Sequence, residues 1–251
     1  MRGTIDMIVL EKCSADFFIL DDSKYLKLDK SEQSMIFRFM EYLDKKRISV
    51  KIITIDELAS LLLNKLKEDN ISNNFDLIAN IGMGGKELFA PMKEYFVEKE
   101  VKDIICKRVW YSKTLVKIED DINSYDFQGK KVLLIDDVVA TGHTLNNIIK
   151  KIENLNGIVS MIMIGLGSCN FLDKENYPII IGKKLYEKHK HILSNIDGAY
   201  WYPGIYSIRH LLNEENGMAN FKERIAEMYF ENDAEVINCL LYTSPSPRDT
   251  R

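Results

Sequence analysis

Between residues 75 and 168 the chain repeats apolar runs separated by polar segments, and helical spacing follows the first and third runs, in ELFAPMKEYFVEK and HTLNNIIKKIENL. The apolar runs are FDLIANI, DIICKRVWY, KKVLLIDDVV and VSMIMIGLG. Runs without polar alternation predict strands buried on both faces, and helices between such strands predict parallel pairing. The pattern therefore predicts an α/β fold, a parallel sheet flanked by helices, with its polar turns at the carboxyl edge of the strands.

The segments outside this repeat are interpreted from local patterns alone. Residues 5–29 hold two short extended runs, IDMIVLE and DFFILDD, which predict a small leading hairpin or lobe. Apolar spacing predicts a helix over 31–46 with Ser31 as its N-cap, and a second helix directly after it that begins with a capping box of Thr54 and Glu57. The predicted organisation is a lobe or hood contribution over 1–50, a core over 51–212 and a C-terminal helix over 213–238.

The last thirteen residues, CLLYTSPSPRDTR over 239–251, differ abruptly in composition from the rest and hold two of the five prolines. They resemble the translation of a sequencing adapter, which indicates a non-native tail. A natural disordered tail is the alternative interpretation.

Composition excludes several classes of function. The formal net charge of -4 argues against a protein that coats nucleic acid, because phosphate neutralisation needs a basic face. The four cysteines are far apart and form no CxxC pair, which argues against a zinc site or a disulfide framework. No signal peptide and no apolar stretch of membrane-spanning length is present in this sequence, so a cytoplasmic protein without a membrane partner is expected.

The segment KKVLLIDDVVATGHTL carries the most chemical information. A four-residue apolar run ends in Asp136 and Asp137, and the chain then enters ATGHT at the opening of a helix. The hydroxyls of Thr141 and Thr144 and the backbone N–H groups of this turn suit a phosphate, and Gly142 lets the backbone approach it. The two carboxylates suit ribose hydroxyls and indirect support of Mg²⁺ on a pyrophosphate.

The run from Val132 to Thr144 resembles the phosphoribosyl-pyrophosphate-binding motif of type I phosphoribosyltransferases. The resemblance implies a Rossmann-like parallel sheet with a small variable hood. It also implies transfer of a 5-phosphoribosyl group to a nitrogenous base with Mg²⁺ as cofactor, as in nucleotide salvage or synthesis. Asp136 and Asp137 would then contact the ribose hydroxyls and support the metal through the sugar or water. The 5-phosphate would lie against Ala140, Thr141, Gly142, His143 and Thr144.

A second segment, FDLIANIGMGGKELFAP, resembles the pyrophosphate loop of the same family. Gly84 and Gly85 match the paired glycines whose bare backbone admits the pyrophosphate. Met83 is a departure, because many members carry Arg or Lys there, and Lys86 is the residue that could replace this cation. Without the first motif, an ordinary strand-to-helix turn would explain the segment equally well.

The segment between the two motifs begins with Lys107 and Arg108, where purine-type members keep basic residues. The resemblance implies catalytic roles for both and a mobile flap over 111–126 that closes to exclude water. The alternative is a solvated hairpin with ordinary surface lysines.

The acceptor side is less well determined. Trp201, in the aromatic segment IDGAYWYPGIYSIRHLL, is the best candidate for stacking on a base, and packing is the alternative. Arg209 and His210 are expected at the surface. Ala140 replaces the acid that members acting on 6-oxopurines usually carry, so the base stays open. The expected partners are the donor and a small heterocyclic base, a homodimer is compatible with the family, and a non-catalytic sensor that keeps the donor loop is the alternative function.

Overall fold

The computed structural model describes residues 7–15, 17–45, 47, 49–69, 75–111, 114–140, 142–168, 177–187 and 205–209. The strands are β1 (Met7–Ala15), β2 (Phe17–Asp21), β3 (Val50–Thr54), β4 (Leu77–Ile81), β5 (Glu100–Ile104), β6 (Cys106–Tyr111), β7 (Thr114–Asp120), β8 (Lys131–Val139), β9 (Ile158–Ser168), β10 (Ile179–Glu187) and β11 (Ile205–Ser207). The helices are α1 (Lys30–Lys45), α2 (Ile55–Asp69), α3 (Gly82–Phe89) and α4 (His143–Asn154), with 3₁₀ turns at Ser23–Tyr25, Ala90–Phe96 and Ile122–Ser124.

Six strands form the main sheet in the order β1-β10-β9-β8-β4-β5, and every neighbouring pair is parallel. Successive side chains of a strand point to opposite faces, which gives the sheet two apolar layers. Leu133 of β8 belongs to the core that contains Leu58 of α2, whereas Leu134 belongs to the core that contains Ile148 of α4. Helices therefore cover both faces, and the predicted α/β fold with a parallel sheet is confirmed.

Two smaller sheets accompany the main one. Strands β11, β2 and β3 form a parallel sheet, here named the side sheet, and β6 and β7 form an antiparallel hairpin. Phe18 and Leu20 of β2 are fully buried in the core that α2 shares with the main sheet. The side sheet thus packs on the α2 side of the molecule.

The predicted leading hairpin is wrong. β1 pairs in parallel with β10 at the edge of the main sheet, and β2 pairs with β3 and β11 in the side sheet. Only one residue separates β1 from β2, which is too short for the two-residue loop that a hairpin needs. The chain instead passes from one sheet to the other. The predicted boundaries at residues 50, 212 and 238 stay predictions.

Two helix starts also differ from expectation. Asp29, and not Ser31, caps α1: its Oδ1 accepts from the Glu32 N–H and its N–H donates to the Glu32 carboxylate, both at 2.9 Å. Strand β3 lies between α1 and α2, so the second helix does not follow the first directly.

The predicted cap of α2 is half formed. Thr54 Oγ1 accepts from the Glu57 N–H at 3.1 Å, but the Glu57 carboxylate lies 2.7 Å from Lys183 Nζ. Lys183, a buried residue of β10, also pairs with Glu11 of β1. A buried ammonium requires such partners, and the triad joins β1, β10 and α2.

Candidate functional site

The two predicted phosphate-binding turns lie side by side in the fold. β4 and β8 are parallel neighbours in register, with Ala79 opposite Leu134 and Asn80 opposite Ile135. α3 begins at Gly82, directly after β4, and α4 begins at His143, four residues after β8 ends. Because the carboxyl ends of parallel strands meet at one edge, the structure brings the two turns to the same edge of the sheet.

The acidic pair occupies the last part of β8, and its two carboxylates leave the strand on opposite sides. Asp136 is buried, at 8% exposure, and follows the alternation that sends Leu134 to the α4 side. Asp137 is half-buried and lies on the side of α3. Only Asp137 thus faces the turn after β4, and the shared ribose contact of both acids stays a prediction.

Gly84 and Gly85 pack closely against β8, the strand that precedes the second turn. A Cβ at Gly84 would lie 2.1 Å from the Asp137 Cγ, and a Cβ at Gly85 would lie 2.4 Å from the Ile135 carbonyl oxygen. Both contacts are far shorter than real Cβ contacts, so a side chain at Gly84 would require the Asp137 carboxyl group to move, and one at Gly85 would clash with the backbone of β8. The structure therefore gives both glycines a packing reason, in addition to the pyrophosphate contact predicted for them.

The turn after β8 is held at both ends. The Ala140 carbonyl accepts a hydrogen bond of 2.6 Å from Ser168 Oγ at the end of β9. Gly142 has a φ of 75° as the N-cap of α4, a left-handed conformation that favours glycine. His143 is exposed and Thr144 is half-buried in the first turn of α4, while Thr141 lies outside the described residues.

Lys86, the cation expected to contact a pyrophosphate at the turn after β4, is paired with a carboxylate of β5. Met83 is 60% exposed, and the Lys86 ammonium lies 2.8 Å from Asp103 Oδ2 on the edge strand β5. Burial pushes the pKa of Asp103 upward, but hydrogen bonds from Asn80 and Lys86 outweigh it and leave the pKa below its ordinary value. Lys86 therefore stabilises a carboxylate at the sheet edge in this structure, and its contact with a pyrophosphate stays a prediction.

Lys107 and Arg108 lie on β6, the first strand of the hairpin. Lys107 is exposed and stands opposite Glu119 of β7, and the backbone of Arg108 stands opposite Ile118. The segment predicted as a flap, 111–126, contains strand β7. The single apolar run over residues 103–111 is divided into β5 and β6 at Ile105. The closing motion of a flap stays a prediction.

The base of the hairpin is fastened to the main domain. Asp121 Oδ1 accepts from the Ile105 N–H at 2.8 Å, which joins the two ends of the hairpin. Asp120, whose side chain is fully buried, pairs with Lys151 of α4 at 2.6 Å. The base of the hairpin is therefore fixed to the last turn of α4.

Arg209 is a residue that the sequence interpretation missed, because it was expected at the surface. It follows β11, its N–H donates to Asp22 Oδ1 at 3.1 Å, and its guanidinium binds Glu87 of α3. Burial raises the pKa of Glu87 and of Asp22 above their usual values, Arg209 opposes both rises, and the charge of Asp137 adds to them. The carboxylates of Asp22, Glu87 and Asp137 therefore share one neighbourhood with Arg209. Trp201 and His210 lie outside the described residues.

This electrostatic cluster predicts a pH effect. Since the pKa of Glu87 is raised in the folded state, its contribution to stability is complete below the usual value of 4.5 and is lost as pH rises through the folded pKa. Glu87→Gln should therefore gain stability relative to the wild type as pH increases from about 4 to 8. Urea unfolding at several pH values measures this difference.

Glu100→Gln is the matched control with the opposite sign. Bonds from Lys130 and Lys102 lower the pKa of Glu100, so its contribution is present above 4.5 and is lost as pH falls through the folded pKa. This variant should lose stability relative to the wild type as pH rises. Equal slopes for the two variants would contradict the assignment.

Within the described ranges, no group of three or more His, Cys, Asp or Glu side chains is placed to hold a metal ion. Mg²⁺ commonly uses one or two carboxylates together with substrate phosphates, so the indirect support of such a metal by Asp136 and Asp137 stays a prediction. In the same part of the chain, no helix is both long and apolar enough to cross a membrane.

Comparison with known families places these features in context. The sequence model of the phosphoribosyl transferase domain matches residues 49–181, more than half of the chain. A search of curated proteins finds no match.

Solved structures also resemble the chain. A purine phosphoribosyltransferase from Pyrococcus horikoshii Ot3 is 22% identical, with 53% of this chain and 85% of that chain covered and a TM-score of 0.41. An adenine phosphoribosyltransferase from Thermoanaerobacter pseudethanolicus is 26% identical, with 49% and 77% covered and a TM-score of 0.38. A hypothetical protein from Neisseria gonorrhoeae with bound ppGpp is 16% identical, with 69% and 91% covered and a TM-score of 0.43.

Proposed function

Because the chain belongs to the phosphoribosyl transferase domain family, we propose that it transfers the 5-phosphoribosyl group of phosphoribosyl pyrophosphate to a nitrogenous base and releases pyrophosphate. The observation that carries this proposal is the adjacency of the two turns. The turn after β4 and the turn after β8 meet at one sheet edge, and Gly84 lies against Asp137. A donor with phosphate groups at both ends of a ribose needs two anion sites that flank a hydroxyl-binding acid.

Different elements of the site bind the 5-phosphate, the ribose and the pyrophosphate of the donor. The turn from Ala140 to Thr144 holds the 5-phosphate at the start of α4, where backbone N–H groups are available to an anion. Asp137 accepts hydrogen bonds from the ribose, with Asp136 in support. The pyrophosphate lies over the turn of Gly84 and Gly85.

The reaction is a displacement at the anomeric carbon of the ribose. A nitrogen of the base forms the new C–N bond as the C–O bond to pyrophosphate breaks, and the electron pair of that bond leaves with the pyrophosphate. The proton of the attacking nitrogen passes to solvent or to a basic group nearby. Little covalent chemistry is required of the protein, so positioning and charge stabilisation supply the catalysis.

Mg²⁺ on the pyrophosphate supplies charge neutralisation of the leaving group when it is bound. Asp136 and Asp137 would hold it indirectly, through the sugar or through water. Lys107 and Arg108 on β6 would add positive charge as the hairpin closes, and closure would keep water from the activated sugar. Trp201 would stack on the base.

The proposal is tested by incubating the protein with the donor, Mg²⁺ and a panel of purine and pyrimidine bases while pyrophosphate release is measured. Release is expected with at least one base, and Lys107→Ala should lower kcat by about tenfold or more, because a cation near the leaving group is lost. Lys130→Gln is the control, since Lys130 pairs with Glu100 at 2.9 Å at the opposite end of β8. If the protein does not bind the donor and releases no pyrophosphate with any base, the proposed function is refuted.

A second function, a non-catalytic sensor of the donor or of a nucleotide, is favoured by one observation. Met83 occupies the place of the expected cation, and Lys86 is engaged with Asp103. A sensor would bind the donor without turnover, and loss of Lys107 or Arg108 would leave that binding unchanged. The acceptor base, a cytoplasmic location and a homodimer belong to the proposal and need their own measurements.

A further inference from the structure

Arg209 joins two parts of the fold, the side sheet and α3. It follows β11 of the side sheet, and its N–H donates to Asp22, the residue after β2 in the same sheet. Its Nε lies 3.8 Å from Asp22 Oδ2, and a terminal guanidinium nitrogen binds Glu87 Oε1 on α3. One side chain thus links the side sheet to the helix that begins with the glycine turn.

The link is buried. The side chains of Asp22 and Glu87 are 4% and 6% exposed, and that of Arg209 is 24% exposed. The second oxygen of Glu87, Oε2, is buried and has no hydrogen-bond partner among the described residues. The Glu87 carboxylate therefore depends on Arg209, because removal of one partner from a buried pair leaves a charge without compensation.

Glu87 lies one helical turn from the candidate donor site. It follows Gly84 by three residues on α3, so the two residues lie on neighbouring parts of the same short helix. The backbone of Gly84 fits closely against the Asp137 carboxyl group, with no room for a Cβ. A shift of α3 that follows from the loss of the Glu87 contact would also change the spacing of Gly84 and Asp137.

We propose that Arg209 is a positioning residue for the phosphoribosyl donor, which holds α3 through Glu87 so that Gly84 and Asp137 keep their spacing. The inference rests on the proposed function where it concerns the donor. Its structural part, the coupling of the side sheet to α3, is independent of any ligand. Arg209 does not need to touch the donor for this role.

The fold offers a matched control for this link. Lys24, in the 3₁₀ turn after β2, pairs with Asp56 of α2 at 2.8 Å, but both side chains are more than half exposed. This second ion pair also joins the side-sheet region to a helix on the same side of the main sheet. Its two residues lie on the 3₁₀ turn and on α2, and exposed pairs contribute little to stability.

The experiment compares wild type, Arg209→Gln, Arg209→Lys and Lys24→Gln at a temperature where circular dichroism shows that they are folded. Backbone hydrogen exchange is followed in β2 and α3, and donor affinity is measured by calorimetry without a base. In R209Q we expect faster exchange in both elements and donor affinity reduced by about tenfold. R209K should restore part of both losses, and K24Q should resemble the wild type. In R209Q, kcat at saturating donor should stay within about twofold of the wild-type value.

Each outcome decides one part of the inference. Faster exchange confined to residues 205–209 would overturn the coupling of the side sheet to α3. Faster exchange in α3 with unchanged donor affinity would overturn the positioning role. If the wild type binds no donor, the proposed function fails, while the exchange data still decide the coupling. If R209Q does not fold, R209K against K24Q supplies the same comparison.

Discussion

Replacement of Gly84 by alanine is expected to reduce affinity for phosphoribosyl pyrophosphate by at least about 100-fold, because small displacements of positioning groups have effects of that size. The new Cβ would lie 2.1 Å from the Asp137 Cγ, a distance that forces the carboxyl group out of its place. Overpacking of this kind should also lower the free energy of unfolding by about 1–3 kcal/mol.

Two neighbouring glycines separate the effect on the donor from the effect on stability. Gly82 has a φ of 63°, but a Cβ there would meet no atom within 4 Å. Gly82→Ala should therefore cost about 1–2 kcal/mol through backbone strain without moving Asp137. Gly85→Ala should destabilise more strongly, since its Cβ would lie 2.4 Å from the Ile135 carbonyl oxygen and a backbone atom cannot rotate away.

Donor affinity by calorimetry and stability by urea unfolding would be measured on the three variants. The loss of donor affinity is compared with the loss of stability for each variant. G84A and G82A should lose similar stability, but G84A should lose far more affinity. If G82A loses as much affinity as G84A, the spacing of Gly84 and Asp137 does not control donor binding.

Asp137→Asn is expected to abolish most activity and to stabilise the fold. Activity should fall by about 100- to 1,000-fold, because an amide binds ribose hydroxyls and the developing positive charge less well than a carboxylate. The charge of Asp137 raises the pKa of both Asp22 and Glu87, so the three carboxylates repel one another in the folded state. Removal of one charge relieves this repulsion, so the free energy of unfolding at neutral pH should rise.

Asp136→Asn provides the comparison within the same motif. By the alternation of side chains along β8, Asp136 lies on the α4 side of the strand, whereas Asp137 lies on the α3 side. It should lose activity without a gain in stability. Pyrophosphate release and urea unfolding at pH 7 measure both properties, and a loss of stability in D137N would show that Asp137 is not under repulsion.

The main sheet could be predicted from the sequence because each of its inner strands is a local apolar run. The two ends of the sheet and the side sheet could not be predicted in the same way. Met7 of β1 pairs with Ile179 of β10, and the short strand β3 pairs with β2 across the whole of α1. Nothing in a local pattern specifies which distant strand a segment joins.

The residues of the site likewise differ in whether a local sequence pattern predicts them. The turn of Ala140 to Thr144 and the paired glycines have local signatures, and the structure brings both turns to one edge. Arg209 has no such signature, since its partners Glu87 and Asp22 lie 122 and 187 positions away in the chain. Its burial follows from the packing of β11 beside β2, which only the tertiary structure defines.

The pairing of β1 with β10 also has a consequence for the time course of folding. During translation, β4, β5, β8 and β9 emerge in the order in which neighbours can assemble, and domains often begin to fold as they emerge. β1 leaves the ribosome before all of them, yet its partner emerges more than 160 residues later. β1 therefore has no partner in the main sheet until β10 has been synthesised.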